Sequence, residues 1–252
     1  MSTIDWNTTV GAVWRHHTQS LRAVRHLDPI RPEQLLGVDR QKARLIENTE
    51  RFLNGQPANN ALLWGSRGTG KSSLIKAMLN AYADQGLRML EVDKDDLIHL
   101  PEIVDEIREL PYRFVIFCDD LSFEAGEKTY KALKSVLEGS LELPPDNVLI
   151  YASSNRRHLL PETQADNQDV TVVGTELHLG DAIEEKISLS DRFGLWLSFY
   201  PINQDAYLNI IDHLFDHPNE TEQLHKDAIR FAHEKGVRSG RTAKQFFKSY
   251  TA

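Results

Sequence analysis

Two kinds of hydrophobic pattern alternate along the first two hundred residues. Short apolar runs occur at Ala61-Leu62-Leu63-Trp64, Leu87 to Val92, Phe114-Val115-Ile116-Phe117-Cys118, Val148-Leu149-Ile150-Tyr151-Ala152 and Leu195-Trp196-Leu197-Ser198-Phe199. Runs this short predict strands. They are continuous rather than alternating, so both faces are expected to be buried, as in a mainly parallel sheet covered by helices. Between the runs the apolar spacing turns helical. Gly37-Val38-Asp39-Arg40 opens a helix through Ala43, Ile46 and Phe52 that Asn54-Gly55 stops. Further helical stretches are expected from about Lys71 to Ala83, mostly over Asp95–Leu110, near Gly126–Leu141 and briefly at Asp181–Ile187. After Pro201 only helices are expected, marked by Leu208, Ile211 and Phe215, then Leu224, Ala228 and Phe231, then Ala243, Phe246, Phe247 and Tyr250. The expected organisation is an N-terminal segment (1–30), an α/β domain (31–201) and a small all-helical domain (202–252). The first segment carries Trp6, Trp14, His16 and His17 and ends at Asp28-Pro29-Ile30-Arg31-Pro32. Each of those prolines pushes its predecessor out of the helical region. The segment reads equally as a partner-binding arm or as an ordinary docked stretch.

Composition narrows the class. The 252 residues are 40% hydrophobic and 26% charged, which argues for a globular chain. Lys and Arg number 29 against 37 Asp and Glu, and 29 − 37 gives −8. A uniformly basic nucleic-acid coat is thereby excluded, though a local patch is not. One cysteine, Cys118, cannot make an internal disulfide, which fits a reducing compartment. Its strand neighbours are apolar, so it reads as a small buried hydrophobe. No apolar run has the length of a membrane span, and the N-terminus has no signal-peptide pattern. A cytoplasmic protein with no membrane partner is expected. Charge is uneven: from Lys226 onward 7 bases against 2 acids give +5, while Glu91–Pro111 has 2 bases and 8 acids, −6. The basic end reads as solvated helix faces or as a nucleic-acid or protein contact. The ten histidines show no metal-binding motif, so a structural metal is not expected.

One string carries specific chemistry. Gly65-Ser66-Arg67-Gly68-Thr69-Gly70-Lys71-Ser72, followed by Ser73, fills every fixed position of G-x-x-x-x-G-K-[ST]. Glycines let backbone amides turn inward around phosphate oxygens, and the following helix presents its positive N-terminus to them. Lys71 would reach the β- and γ-phosphates and Ser72 would ligate Mg²⁺. Such a string arises by chance in about one chain in a hundred of this size. Here an apolar run precedes it and a helical pattern follows, as the motif requires. The apolar run Phe114–Cys118 then ends in Asp119 and Asp120. Asp119 would hold Mg²⁺, directly or through water, and Asp120 would polarise the attacking water.

From these motifs onward the chain resembles the AAA+ superfamily of P-loop ATPases, over about residue 30 to the C-terminus. The resemblance implies a parallel sheet flanked by helices and followed by a helical lid, with ATP and Mg²⁺ as ligands and ADP as product. It makes Asn155 the polar sensor that helps orient the water. It places Arg192, in Ser190-Asp191-Arg192-Phe193-Gly194, as an arginine finger acting on a neighbouring subunit's γ-phosphate, and so implies a homo-oligomer. It makes Arg241, in Ser239-Gly240-Arg241, a lid sensor for the phosphates, and Leu36-Gly37-Val38 the lining of the adenine pocket. Arg192 and Arg241 also read as ordinary surface charges, and Arg156 and Arg157 are second candidates for finger or partner contact. The strings around Asp119 and Asn155 are most similar to a bacterial AAA+ family of unknown function.

One position departs from the superfamily, which usually has glutamate where Asp120 stands. The aspartate is one methylene shorter, which predicts slow hydrolysis unless Glu124 folds back to serve. Two functions follow. One is an ATPase whose assembly remodels or moves a macromolecular partner, protein or nucleic acid. The other is a slow, nucleotide-controlled binding module, such as a loader for a nucleic-acid machine.

Overall fold

The computed structural model describes residues 4–123, 130–139, 143–157, 159, 188–216 and 221–250. Seven strands form one sheet: β1 (Gly11–Arg15), β2 (Ser20–Ala23), β3 (Ala61–Gly65), β4 (Leu87–Glu91), β5 (Arg113–Cys118), β6 (Val148–Ser154) and β7 (Leu195–Phe199). Their spatial order is β2-β1-β4-β5-β6-β3-β7. Only β1 and β2 pair antiparallel; the other neighbours are parallel.

The continuous apolar runs resolve into two cores because successive side chains of a strand point to opposite faces. Leu62, Phe114, Ile116, Cys118, Ile150 and Ala152 belong to one core. A 3₁₀ stretch (Lys94–His99), α3 (Leu100–Ile107) and α4 (Tyr130–Glu138) cover that face, with Leu97, Ile103 and Leu133 in the same core. Leu63, Val115, Phe117, Tyr151 and Leu197 face the other core, with Leu45, Phe52 and Leu74 from α1 (Asp39–Leu53) and α2 (Lys71–Tyr82). Burial on both faces is the reason the runs do not alternate. The edge strand β7 is the exception, with Trp196 and Ser198 only half-buried.

Beyond β7 lie α5 (Gln204–Leu214), α6 (Thr221–Glu234) and α7 (Gly240–Tyr250). Asn203 starts α5 by accepting a hydrogen bond from the Ala206 amide at 2.8 Å. Ser239 does the same for the Thr242 amide at 3.1 Å, at the start of α7. Tyr207, Ile211, Leu224, Ala228, Ala243 and Phe246 form a core of their own between these helices.

One reading of the pattern changes. No strand was expected before residue 61, yet β1 and β2 extend the sheet beside β4. They are five and four residues long and separated by four, too short for periodicity to show. The mostly helical stretch expected over Asp95–Leu110 is made of a 3₁₀ segment followed by an α segment. The brief helix at 181–187 lies outside the described residues.

Candidate functional site

Strand register assembles the site before any side chain is considered. Cys118 is level with Ala152, and Trp64 with Ser154. The residues that follow β5, β6 and β3 therefore emerge side by side at the carboxyl edge of the sheet. That edge is where open α/β sheets bind ligands. They are Asp119 and Asp120, Asn155, and the glycine-rich loop.

The loop is pinned on both sides. The Ser66 amide donates to the Phe199 carbonyl at 3.0 Å, tying the loop to β7. A Cβ on Gly65, which sits at φ +129°, would stand 2.0 Å from that carbonyl oxygen, so only glycine fits. A Cβ on Gly68 would stand 3.0 Å from Ser239 Oγ and 3.4 Å from the Arg241 Cβ. The start of α7 thus packs directly onto the loop.

Lys71 is the hub. Its residue is 6% exposed, and its Nζ donates to the carbonyls of Gly65 and Ser66, both at 2.8 Å, and to Asn155 Oδ1 at 3.1 Å. Burial lowers its pKa from 10.5 to about 8. Asp120 and Asp119 oppose the shift, while Arg241 and Arg67 add to it. The Asn155 amide in turn donates to Asp120 Oδ1 at 2.5 Å. Lys71, Asn155 and Asp120 form one hydrogen-bonded chain.

Asp119 faces the helix start. Its Oδ1 accepts from Ser72 Oγ at 2.6 Å and from Ser153 Oγ at 2.5 Å. This is an all-oxygen donor set, which suits a hard cation such as Mg²⁺. Asp120 takes a left-handed backbone at φ +50°, uncommon for a residue with a side chain. Its amide donates to Ser153 Oγ at 3.1 Å and to Asp119 Oδ1 at 3.2 Å.

These groups open onto a cleft of about 670 Å³. One wall is the loop from Arg67 to Ser73 with Asp119, Asp120 and Asn155; the other is Arg241 on α7. Leu36 and Val38 line the cleft, whereas Gly37, at φ +74°, lies in the turn between them and does not. Gly65 and Ser66, expected among the nucleotide-binding residues, do not line it; their carbonyls accept from Lys71 Nζ.

Arg192 is elsewhere. It is absent from the cleft lining; its guanidinium is ion-paired with Glu138 and bonded to the carbonyl and hydroxyl of Ser188. Arg157 stacks over Trp64 with 5.5 Å between the guanidinium carbon and the ring centre, and the Arg156 amide caps onto Ser154 Oγ at 3.1 Å. Cys118 is buried, and that burial raises its thiol pKa to about 12, which removes it as a nucleophile. Glu124 lies outside the described residues.

Sequence reasoning missed several lining residues. Ser153 was visible only as a polar residue ending an apolar strand. Ile202, Ile210 and Leu214 from the C-terminal helices give the cleft an apolar end beside Leu36 and Val38. Lys244 and Lys248 line it too. Their spacing from Arg241 places all three on one face of α7, and that signal was present in the sequence.

Comparison with solved structures shows that this fold is shared with proteins of low sequence identity. Aeropyrum pernix ORC1, solved in complex with DNA, superposes with a TM-score of 0.59 at 16% identity, covering 83% of this chain and 58% of that one. A DNA replication initiation factor gives 0.53 at 18%, covering 89% and 65%. A Thermotoga maritima RuvB mutant gives 0.52 at 13%, covering 88% and 72%. No curated protein matches the chain. The chain belongs to the family described as "Protein of unknown function (DUF815)", which matches residues 7–252. Among the described residues no helix is long and apolar enough to cross a membrane.

Proposed function

We propose that this protein binds Mg²⁺-ATP in the cleft between the sheet edge and the C-terminal helices and hydrolyses it as an oligomer to act on a macromolecular partner. The observation that carries the reading is the hydrogen-bonded chain from Lys71 through Asn155 to Asp120, beside the Ser72–Asp119 pair. In this reading the loop amides and Lys71 hold the β- and γ-phosphates. Ser72 and Asp119 would hold Mg²⁺, which would neutralise phosphate charge when bound. Asp120, kept in place by Asn155 and Ser153, accepts a proton from the attacking water. Leu36, Val38, Ile202, Ile210 and Leu214 receive the base. Arg241, with Lys244 and Lys248, presses on the phosphates from the lid, which we take as residues 202–252.

The test is binding. Lys71→Ala should lose at least about 100-fold in ATP affinity by calorimetry, since a charge-assisted contact to a triphosphate is removed from a buried position. Unchanged affinity would sink the phosphate-loop reading.

A second expectation follows from the lowered Lys71 pKa. Phosphate favours the charged amine, so binding should raise that pKa and take up a proton when the free amine is partly neutral. Affinity should be flat well below pH 8 and fall as pH rises through about 8, because the neutral form then accumulates in the free protein. Calorimetry in buffers of different ionisation heat should show proton uptake near pH 8 and little near pH 6.5. Equal uptake at both would contradict the assignment to Lys71.

A slower variant of the function is favoured by Asp120 itself. Its short side chain is already engaged by Asn155 at 2.5 Å, which limits its reach to a water. In that variant hydrolysis times the release of a partner rather than driving its movement.

A further inference from the structure

The N-terminal hairpin brings together three side chains that are far apart in the sequence. His16 begins the 3₁₀ turn His16–Thr18 between β1 and β2. Asp96 and His99 lie in the 3₁₀ stretch Lys94–His99 that follows β4. A 3₁₀ helix has three residues per turn, so positions three apart stand on the same face. The β1–β4 pairing then sets the hairpin turn beside that face. His16 Nδ1 and Asp96 Oδ1 are 2.6 Å apart, and one donor atom from each of His16, Asp96 and His99 lies within 4.8 Å of the others.

We propose that His16, Asp96 and His99 bind one divalent transition-metal ion of the zinc class, clasping the N-terminal hairpin to the segment after β4. Three observations carry this. The donors are two imidazoles and one carboxylate, a set that suits zinc and its neighbours and not magnesium. Asp96 is a buried carboxylate, its side chain 9% exposed, and His16 is its side-chain partner. The carboxylate is thus largely out of water beside a histidine that is itself 65% exposed, a position that a bound cation would share. Trp14 stands alongside, its ring centre 5.6 Å from that of His99, and its buried indole N–H has no acceptor among the described residues.

The required adjustment is small. Zinc at about 2.0–2.1 Å from each donor in tetrahedral geometry separates the donors by about 3.3 Å. The His16–Asp96 contact would open by under about 1 Å, and His99 would turn inward, both within side-chain rotation. The site differs from the Mg²⁺ position in its donors, since Ser72 and Asp119 offer oxygen only. It runs against the expectation, drawn from spacing alone, that the histidines hold no metal.

The experiment uses the full chain, stripped with chelator and free of nucleotide. It is titrated with Zn²⁺ and separately with Co²⁺, whose visible absorption reports coordination. Wild type should bind one equivalent more of Zn²⁺ than His16→Gln/His99→Gln, with tetrahedral-type Co²⁺ bands and a rise in Tm that the variant lacks. Asp119→Asn should retain that equivalent, which separates the site from the phosphate cleft. The histidine substitutions keep side-chain size at a partly exposed position, and circular dichroism checks their fold. Equal Zn²⁺ stoichiometry in wild type and the double variant, or loss of the equivalent in Asp119→Asn alone, overturns the proposal.

Discussion

Arg192→Ala is expected to bind ATP almost as wild type does and to hydrolyse it about 10³-fold more slowly or worse. A finger stabilises charge on the transferring phosphoryl group, and its loss typically costs that much. The effect belongs to the transition state, so ground-state affinity should change little. The structure gives this expectation a geometric motive. Arg192 does not line its own chain's cleft; it sits just before β7, 19% exposed and paired with Glu138. A guanidinium held there does not face its own chain's cleft, so a finger role would have to be exercised on a neighbouring subunit. Activity per subunit should therefore rise with protein concentration. Mixing Arg192→Ala with Asp120→Asn should restore part of the activity, because a mixed interface pairs an intact finger with an intact water site. Concentration-independent turnover, or an Arg192→Ala enzyme as fast as wild type, rules the finger out.

Asp120→Asn should keep ATP affinity and lose turnover by about 10²- to 10⁴-fold, the range set by removing a general base. The substitution is nearly isosteric. Asn155 would still have an amide oxygen to donate to, so the local geometry should survive while the proton acceptor does not. Asp119→Ala should act differently. It removes the acceptor shared by Ser72 and Ser153 and the carboxylate proposed for Mg²⁺, so it should weaken binding in the presence of Mg²⁺ far more than in chelator. Measuring nucleotide affinity in both conditions alongside steady-state phosphate release separates the two roles. If Asp120→Asn hydrolyses ATP at the wild-type rate, another group positions the water.

The glycine-rich loop and the acids after β5 were legible because their chemistry is contiguous. Eight consecutive residues make the glycine-rich loop, and Asp119 and Asp120 follow directly on an apolar run. The five later strands were legible for a related reason. Each is buried on its own account, so its apolar content is a local property. The same reasoning could not find β1 and β2, whose few residues join the sheet only because β4 offers them an edge.

What the linear pattern determined, then, was the identity of the five later strands, of most helices and of the glycine-rich loop. Periodicity records the burial of a single element, and a motif records a single turn. The tertiary structure decided which elements stand beside one another. Strand order β5-β6-β3 carried Ser153 to Asp119 and Asn155 between Lys71 and Asp120. Packing of α7 on the loop turned Arg241, Lys244 and Lys248 into one wall of the cleft. The hairpin crossing beside β4 brought His16 to Asp96 across 80 positions of chain. Such neighbours depend on backbone pairing and core packing between distant segments, and no local spacing encodes them.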